Sequence, residues 1–201
     1  MKMESHTADR VLSILVKEPF KIHTATSLAK SLNITRQGIW KTLNKLSEGS
    51  LIKLEPVGDA KTSAVTIKLN WLNPLTEKTL SLLLTKESLK HQRWRVNFEE
   101  LEKAAKFLML FGSVLNNPKG ANDTDIMAVV NKKNFKAVEE IVAKVQQTQL
   151  KKIHMVDLTE AEFIQELKKP NMAYIDAVKR GIVLYGQDTF IKFMRNLKNE
   201  G

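Results

Sequence analysis

The chain has 201 residues, with 32 Lys and Arg against 22 Asp and Glu, for a formal net charge of +10. That length holds one large domain or two small ones, and 43% hydrophobic with 27% charged residues is the balance of a globular protein rather than a disordered or fibrous one. No cysteine is present, which excludes disulfides, thiolate zinc sites and cysteine nucleophiles. No apolar run reaches the roughly eighteen residues of a transmembrane helix, and the start MKMESHTADR lacks the apolar core of a signal peptide. The expectation is a cytoplasmic protein with no membrane partner. Its positive field attracts nucleic acid or nucleotide phosphates, and the part before Pro74, with 11 Lys/Arg against 6 Asp/Glu, is the more basic per residue.

The first predicted helix runs over about 7–17, places Val11, Leu12 and Leu15 on one face, and stops before Pro19. A second spans about 25–32 on Leu28, Ala29 and Leu32. The chain turns at Asn33-Ile34-Thr35, and a third helix over 36–47 buries Ile39, Leu43 and Leu46. Two alternating segments, 51–54 and 65–69, flank Gly58 and Asp59 and read as a β-hairpin. Once the apolar positions of the third helix are inward, Thr35, Arg36, Gln37, Lys41 and Lys45 remain on its outer face. Trp40, next to Ile39, sits at the edge of the apolar stripe and covers the core.

Helix, helix-turn-helix and hairpin is the order of a winged helix. The segment SLAKSLNITRQGIWKTLNKLSEGSLIKLE resembles winged helix-turn-helix regulators, and TRQGIWKTLNKL is similar to the biotin-repressor type of recognition helix. The resemblance implies double-stranded DNA as a partner, with the third helix in the major groove and the hairpin on the adjacent backbone. Thr35 and Gln37 would then hydrogen-bond bases or phosphates, and Arg36 would grip guanine through two bonds. Lys41, Lys45 and, in the wing, Lys61 would bind phosphate. Winged helices also dock proteins, and exposed basic residues also serve solubility, so composition alone leaves these alternatives open.

Asn73-Pro74 is a helix start, with Asn as cap and Pro in the first position. The following helix carries leucines at 75, 80, 82, 83, 84 and 89, more apolar surface than a free linker shows. It packs against one of the domains or against a second copy of the chain, as a homodimer. His91-Gln92-Arg93-Trp94-Arg95 is a basic-aromatic knot that either lines a nucleotide or nucleic-acid path or anchors a tryptophan at a domain junction.

The stretch FLMLFGSVLNNPKGANDTDIMAVV, 107–130, carries the most chemistry. An apolar strand ends in Gly112-Ser113, a polar loop follows, and Asp123 and Asp125 open a second apolar strand. Two carboxylates at i and i+2 of a strand share a face and repel unless a cation neutralises them. A small-residue turn at the end of the preceding strand frees backbone N–H groups for phosphate oxygens. A helix over 132–147, with Phe135, Val138, Ile141, Val142 and Val145 inward, leads to a strand over 152–158. Thr159-Glu160-Ala161-Glu162 is a capping box that opens a helix to about 168. A helix over about 172–180, a short strand over 182–186 and a last helix to about 197 complete the chain.

Gly112, Ser113, Asp123 and Asp125, in that order around a loop, resemble the nucleotidyltransferase superfamily, in particular its minimal branch, over about 98–197. GIVLYGQDTF is similar to the end of those domains. The resemblance implies an α+β protein of two domains, a winged helix over 1–73 and a nucleotidyltransferase-like mixed sheet with flanking helices over 98–201, joined by a helix and junction over 74–97. It further implies transfer of a nucleoside monophosphate from an NTP, with Asp123 and Asp125 as catalytic residues holding Mg2+ or Mn2+. Gly112, Ser113 and Lys119 would contact the phosphates. The family places a third carboxylate on the next central strand, where this chain has His154, an imidazole ligand in place of an oxygen one. Asp157, three residues on, would substitute only with a bulge or a slipped register. Leu115-Asn116-Asn117 stand where active members often carry Ala-Arg-Gly. These departures leave open a regulator with a degenerate, nucleotide-sensing domain. An antitoxin-type enzyme acting on a small helical protein partner is the other alternative that the resemblance implies.

Overall fold

A computed structural model describes residues 2–56, 65–169 and 172–199. The chain divides into two compact units, Met1–Leu83 with Met194–Gly201, and Leu84–Phe193.

The first unit opens with α1 (Lys2–Lys17), α2 (Ala25–Leu32) and α3 (Arg36–Glu48), then β1 (Ile52–Pro56) and β2 (Val65–Leu69). Local chemistry sets the helix ends. Thr24 Oγ1 accepts from the Ser27 N–H at 3.1 Å and Ser27 Oγ accepts from the Thr24 N–H at 2.9 Å, a capping box that satisfies two otherwise orphan donors. Asn33, at φ 54°, closes α2 in the left-handed region that Asn tolerates. Thr35 caps α3 by accepting from the Gly38 N–H at 3.1 Å. Val11, Leu12, Leu28, Ile39, Leu43, Ile52 and Ile67 form the fully buried centre of this unit. The hairpin pairs antiparallel from Ile52↔Leu69 to Pro56↔Val65, and a bridge at Thr24↔Thr66 adds the segment before α2 to it. Three helices followed by this antiparallel pair is the element order of a winged helix. Gly58, Asp59 and Lys61, between the two strands, lie outside the described residues.

Helix α4 (Pro74–Leu89) begins as its sequence predicts, with Asn73 Oδ1 accepting from the Leu75 N–H at 3.0 Å. Leu80 and Leu84 are fully buried, whereas Leu75, Leu82 and Leu89 are more than half exposed. The leucine excess therefore serves the interior on one side of α4 only.

The second unit contains α5 (Gln92–Asn97), α6 (Leu101–Ala104), β3 (Ala105–Phe111), β4 (Asp123–Val130), α7 (Phe135–Gln146), β5 (Lys152–Leu158), α8 (Glu160–Lys168), α9 (Met172–Arg180) and β6 (Ile182–Tyr185). Helix α10 (Gln187–Asn199) is the last described element. The sheet order is β5-β4-β3-β6. Strand β3 is antiparallel to β4 and β6, and β4 is parallel to β5. Side chains alternate across the sheet. Leu108, Leu110, Ile126, Ala128 and Val130 share one core with Trp94, Phe98, Leu101 and Val138. Phe107, by contrast, sits among aromatic rings, 5.4 Å from Phe190, 5.5 Å from Phe193 and 6.1 Å from Phe163 between centroids. The architecture is mixed α+β.

One expectation needs correction. The helix predicted from residue 132 starts at Phe135, after a 3-10 turn at Lys132–Asn134. The Asn134 amide is committed to the Ala104 carbonyl at 2.7 Å, which fixes that turn before the helix. At 91–95, of the two alternatives left open by the sequence, the structure has the anchored tryptophan. Trp94 is buried, and Arg95 donates to Ser88 Oγ and to the Leu184 carbonyl. Its guanidinium lies 4.4 Å from the centre of the Tyr185 ring, and Tyr185 returns a hydrogen bond to the Arg95 carbonyl at 2.6 Å.

Gly186 turns β6 into α10 at φ +75°, where an added Cβ would lie 2.2 Å from the Lys106 carbonyl oxygen and 2.7 Å from Phe107 Cα. Both are backbone atoms that cannot swing away. Gly186→Ala is expected to destabilise the chain by well over about 1 kcal/mol, read as a lower urea midpoint at unchanged slope.

Candidate functional site

Three strand ends converge on one spot. Register places Phe111, the last residue of β3, opposite Asp125, and places His154 of β5 beside Asp125 on the other side. Asp123, two residues back on β4, shares the Asp125 face. The result is a cluster of Asp123, Asp125 and His154 whose ligand atoms all lie within 4.8 Å of one another. His154 Nδ1 is 3.3 Å from Asp123 Oδ2 and 3.5 Å from Asp125 Oδ1, and the side chains keep 46%, 31% and 23% exposure for His154, Asp123 and Asp125. Among the described residues no lysine or arginine pairs with either aspartate. The group is reachable from solvent and is not consumed by a salt bridge.

Gly112 forms the wall of this cluster. At φ +80°, an added Cβ there would lie 2.1 Å from Asp125 Oδ2, so glycine is required by both conformation and space. Ser113, exposed, starts a 3-10 turn, Ser113–Leu115, and its carbonyl accepts from the N–H groups of Asn116 and Asn117 at 3.1 and 3.0 Å. The loop continues with Asn117 Oδ1 accepting from the Gly120 N–H at 2.9 Å. Lys119 is exposed on this loop.

Lys151, which sequence reasoning missed, fixes the same loop. Its ammonium donates to the carbonyls of Pro118, at 2.7 Å, Lys119, at 3.1 Å, and Ala121, one acceptor for each of its three protons. It ties the start of β5 to the loop that leads into Asp123. In sequence it is one lysine of a Lys-Lys pair, and nothing there distinguishes it.

Asp157 stays out of the cluster. The β4–β5 register is unbroken from Asp123↔Lys152 to Val129↔Leu158, so Asp157 is three positions from His154 on the opposite face. No carboxylate joins Asp123 and Asp125 from β5. The pair of carboxylates suits Mg2+, which takes oxygen ligands and keeps several waters. An imidazole nitrogen at the third position does not suit it.

Desolvation holds the Asp125 carboxyl above its ordinary range. The neighbouring Asp123 charge adds to this, and His154 partly offsets it. On the first unit, Arg36, Gln37, Lys41 and Lys45 are exposed on α3, with Gln37, Lys41 and Lys45 about one turn apart, and Thr35, its N-cap, is exposed before them. The Thr35 hydroxyl is engaged as the helix cap, which limits it as an acceptor for other donors.

No protein-family model matches the chain, and no curated protein matches it. Among solved structures, a variant of Lactococcus lactis ZitR matches at TM-score 0.35 and 25% identity, over 49% of this chain and 66% of that one. A second ZitR variant, in apo form, matches at TM-score 0.34 and 16% identity, over 73% and 84%. The adhesin competence repressor AdcR of Streptococcus pyogenes matches at TM-score 0.34 and 17% identity, over 71% and 79%. Superpositions this weak do not define a shared fold, and the site stands on its own residues.

Two outcomes follow from this geometry. Gly112→Ala drives its methyl group into the Asp125 carboxylate and is expected to weaken divalent-ion binding about tenfold or more, measured by calorimetry on folded protein. A carboxyl whose pKa is higher folded than unfolded binds more protons in the folded chain, so stability falls as pH rises through the folded pKa. Asp125→Asn is therefore expected to raise the melting temperature of chelator-treated protein at pH 7, and the gain should vanish near pH 4.

Proposed function

We propose that the chain is a DNA-binding regulator whose second unit binds a nucleoside triphosphate through a divalent cation. The observation that carries this reading is the meeting of Gly112, Asp123 and Asp125 at one accessible point. A cation bound to the two carboxylates would neutralise their repulsion and present a positive charge to phosphate oxygens. The backbone at Gly112-Ser113 borders the same point and offers N–H groups to the terminal phosphates, and Lys119 adds a charge from the loop.

For the first unit, the support is the exposed set on α3. Arg36 and Gln37, at its N-terminal end, are the residue types that read guanine and adenine edges. Lys41 and Lys45, further along the same face, bind phosphate whatever the sequence, as would Lys61 of the wing. The domains of this reading are the winged helix over 1–73, the helix and junction over 74–97, and the nucleotide-binding domain over 98–201.

Transfer of a nucleoside monophosphate is the second reading, favoured by the accessibility of Asp123 and Asp125 beside the Gly112-Ser113 turn. In that reaction an acceptor hydroxyl oxygen bonds to the α-phosphorus as the bond to pyrophosphate breaks. Incubation with α-labelled nucleotides decides between the two. Label on protein, nucleic acid or a small acceptor, lost in Asp123→Ala, selects transfer. A nucleotide-dependent change in operator affinity without turnover selects regulation. If nucleotide with any divalent ion leaves both the melting temperature and DNA affinity unchanged at millimolar concentration, both readings fail.

DNA binding makes its own prediction. Lys41→Ala is expected to weaken binding evenly across sequences and lower the salt slope by about one. Arg36→Ala is expected to cost about 1–3 kcal/mol and relax preference at a single base position, both read by fluorescence anisotropy at several salt concentrations.

A further inference from the structure

The third position of the acidic cluster does not fit an all-oxygen ion, and that mismatch has a consequence. We infer that Asp123, Asp125 and His154 form a site selective for a first-row ion that accepts imidazole, of the Mn2+ or Zn2+ class, over Mg2+. The inference deepens the nucleotide-binding reading and rests on it for the use of the ion.

The geometry is specific. Ligand atoms bound at about 2.1 Å lie about 3.0 Å apart when cis in an octahedron and about 3.4 Å apart along a tetrahedral edge. His154 Nδ1 lies 3.3 and 3.5 Å from oxygens of Asp123 and Asp125, close to that span, and the three ligand atoms all lie within 4.8 Å of one another. The imidazole is placed there by strand pairing, because the parallel partner of Asp125 is His154. A bulge that would exchange it for Asp157 is absent from the continuous register. Nδ1, rather than Nε2, faces the carboxylates, so ligation requires the neutral ring with its proton on Nε2, pointing away from the ion.

Nitrogen at one of three protein ligands changes the order of affinities. Mg2+ gains little from imidazole and dehydrates reluctantly. Mn2+ and Zn2+ accept nitrogen and oxygen together, with Zn2+ the tighter in a mixed N/O site. Three protein ligands also leave coordination positions open, which a phosphate oxygen can take.

The test is calorimetric titration of the full chain, without DNA or nucleotide, using the chlorides of Mg2+, Mn2+ and Zn2+ separately. The variants are His154→Asp and Asp125→Ala, each checked for fold by circular dichroism. One Mn2+ or Zn2+ per chain is expected, at least about tenfold tighter than Mg2+, and lost in Asp125→Ala. His154→Asp is expected to narrow that preference by strengthening Mg2+ binding. Mg2+ affinity equal to that of Mn2+ and Zn2+ in the wild type, or an unchanged preference in His154→Asp, overturns the inference. In that case an ion still removed by Asp125→Ala leaves the nucleotide-binding reading intact. If no ion binds in a way that depends on Asp125, the selectivity and the nucleotide-binding reading fail together.

Discussion

The pairing of β4 with its two neighbours is the constraint on which the site depends. Antiparallel pairing to β3 brings the Gly112 turn against Asp125, and parallel pairing to β5 brings His154 to its other side. Side chains alternate along a strand, so a slip of one residue in β5 would replace His154 with a residue of the opposite face. The hydrophobic pattern forbids that slip. Ile153 is buried on the face shared with Ile126 and Ala128, and moving it would expose it while burying charge. Core packing thus sets the position of a polar group several residues from the core centre.

The site also carries a cost that packing must offset. Two carboxylates on one strand face repel each other, and partial burial of Asp125 raises its pKa. A chain optimised only for stability would avoid this arrangement. The excluded Cβ at Gly112 and the three-carbonyl clamp of Lys151 hold the surrounding backbone in place despite it. In the proposed reading, a cation removes the repulsion and a triphosphate is held by what the cation leaves open. If ion or nucleotide occupancy alters operator affinity, linkage requires that operator DNA alter ion or nucleotide affinity by the same factor.

Much of this was legible in the sequence because the deciding features were local. The cap at Asn73, the capping box at Thr159, the apolar spacing of α2 and α3, and the apolar runs flanking Gly112 and Asp123 all appear as short-range patterns. The family resemblance put His154 at the third ligand position, and strand alternation from there left Asp157 on the far face. What was not legible depends on contacts far apart in the chain. Lys151 reads as an ordinary surface lysine until the loop folds over it. Arg95 reads as a solvent-facing or phosphate-facing cation until Leu184 and Tyr185 come within reach. The short 3-10 turn before α7 reflects the reach of Asn134 to Ala104, thirty positions away in sequence, which no periodicity reports.

The central claim is that two carboxylates and one imidazole hold a single ion. Anomalous diffraction from crystals grown with Mn2+ or Zn2+ tests it most directly. The account predicts one peak per chain, about 2.1 Å from His154 Nδ1 and from one oxygen each of Asp123 and Asp125, beside the Gly112 turn. A map with no peak there, or with an ion on the carboxylates and the His154 ring turned away, would contradict it.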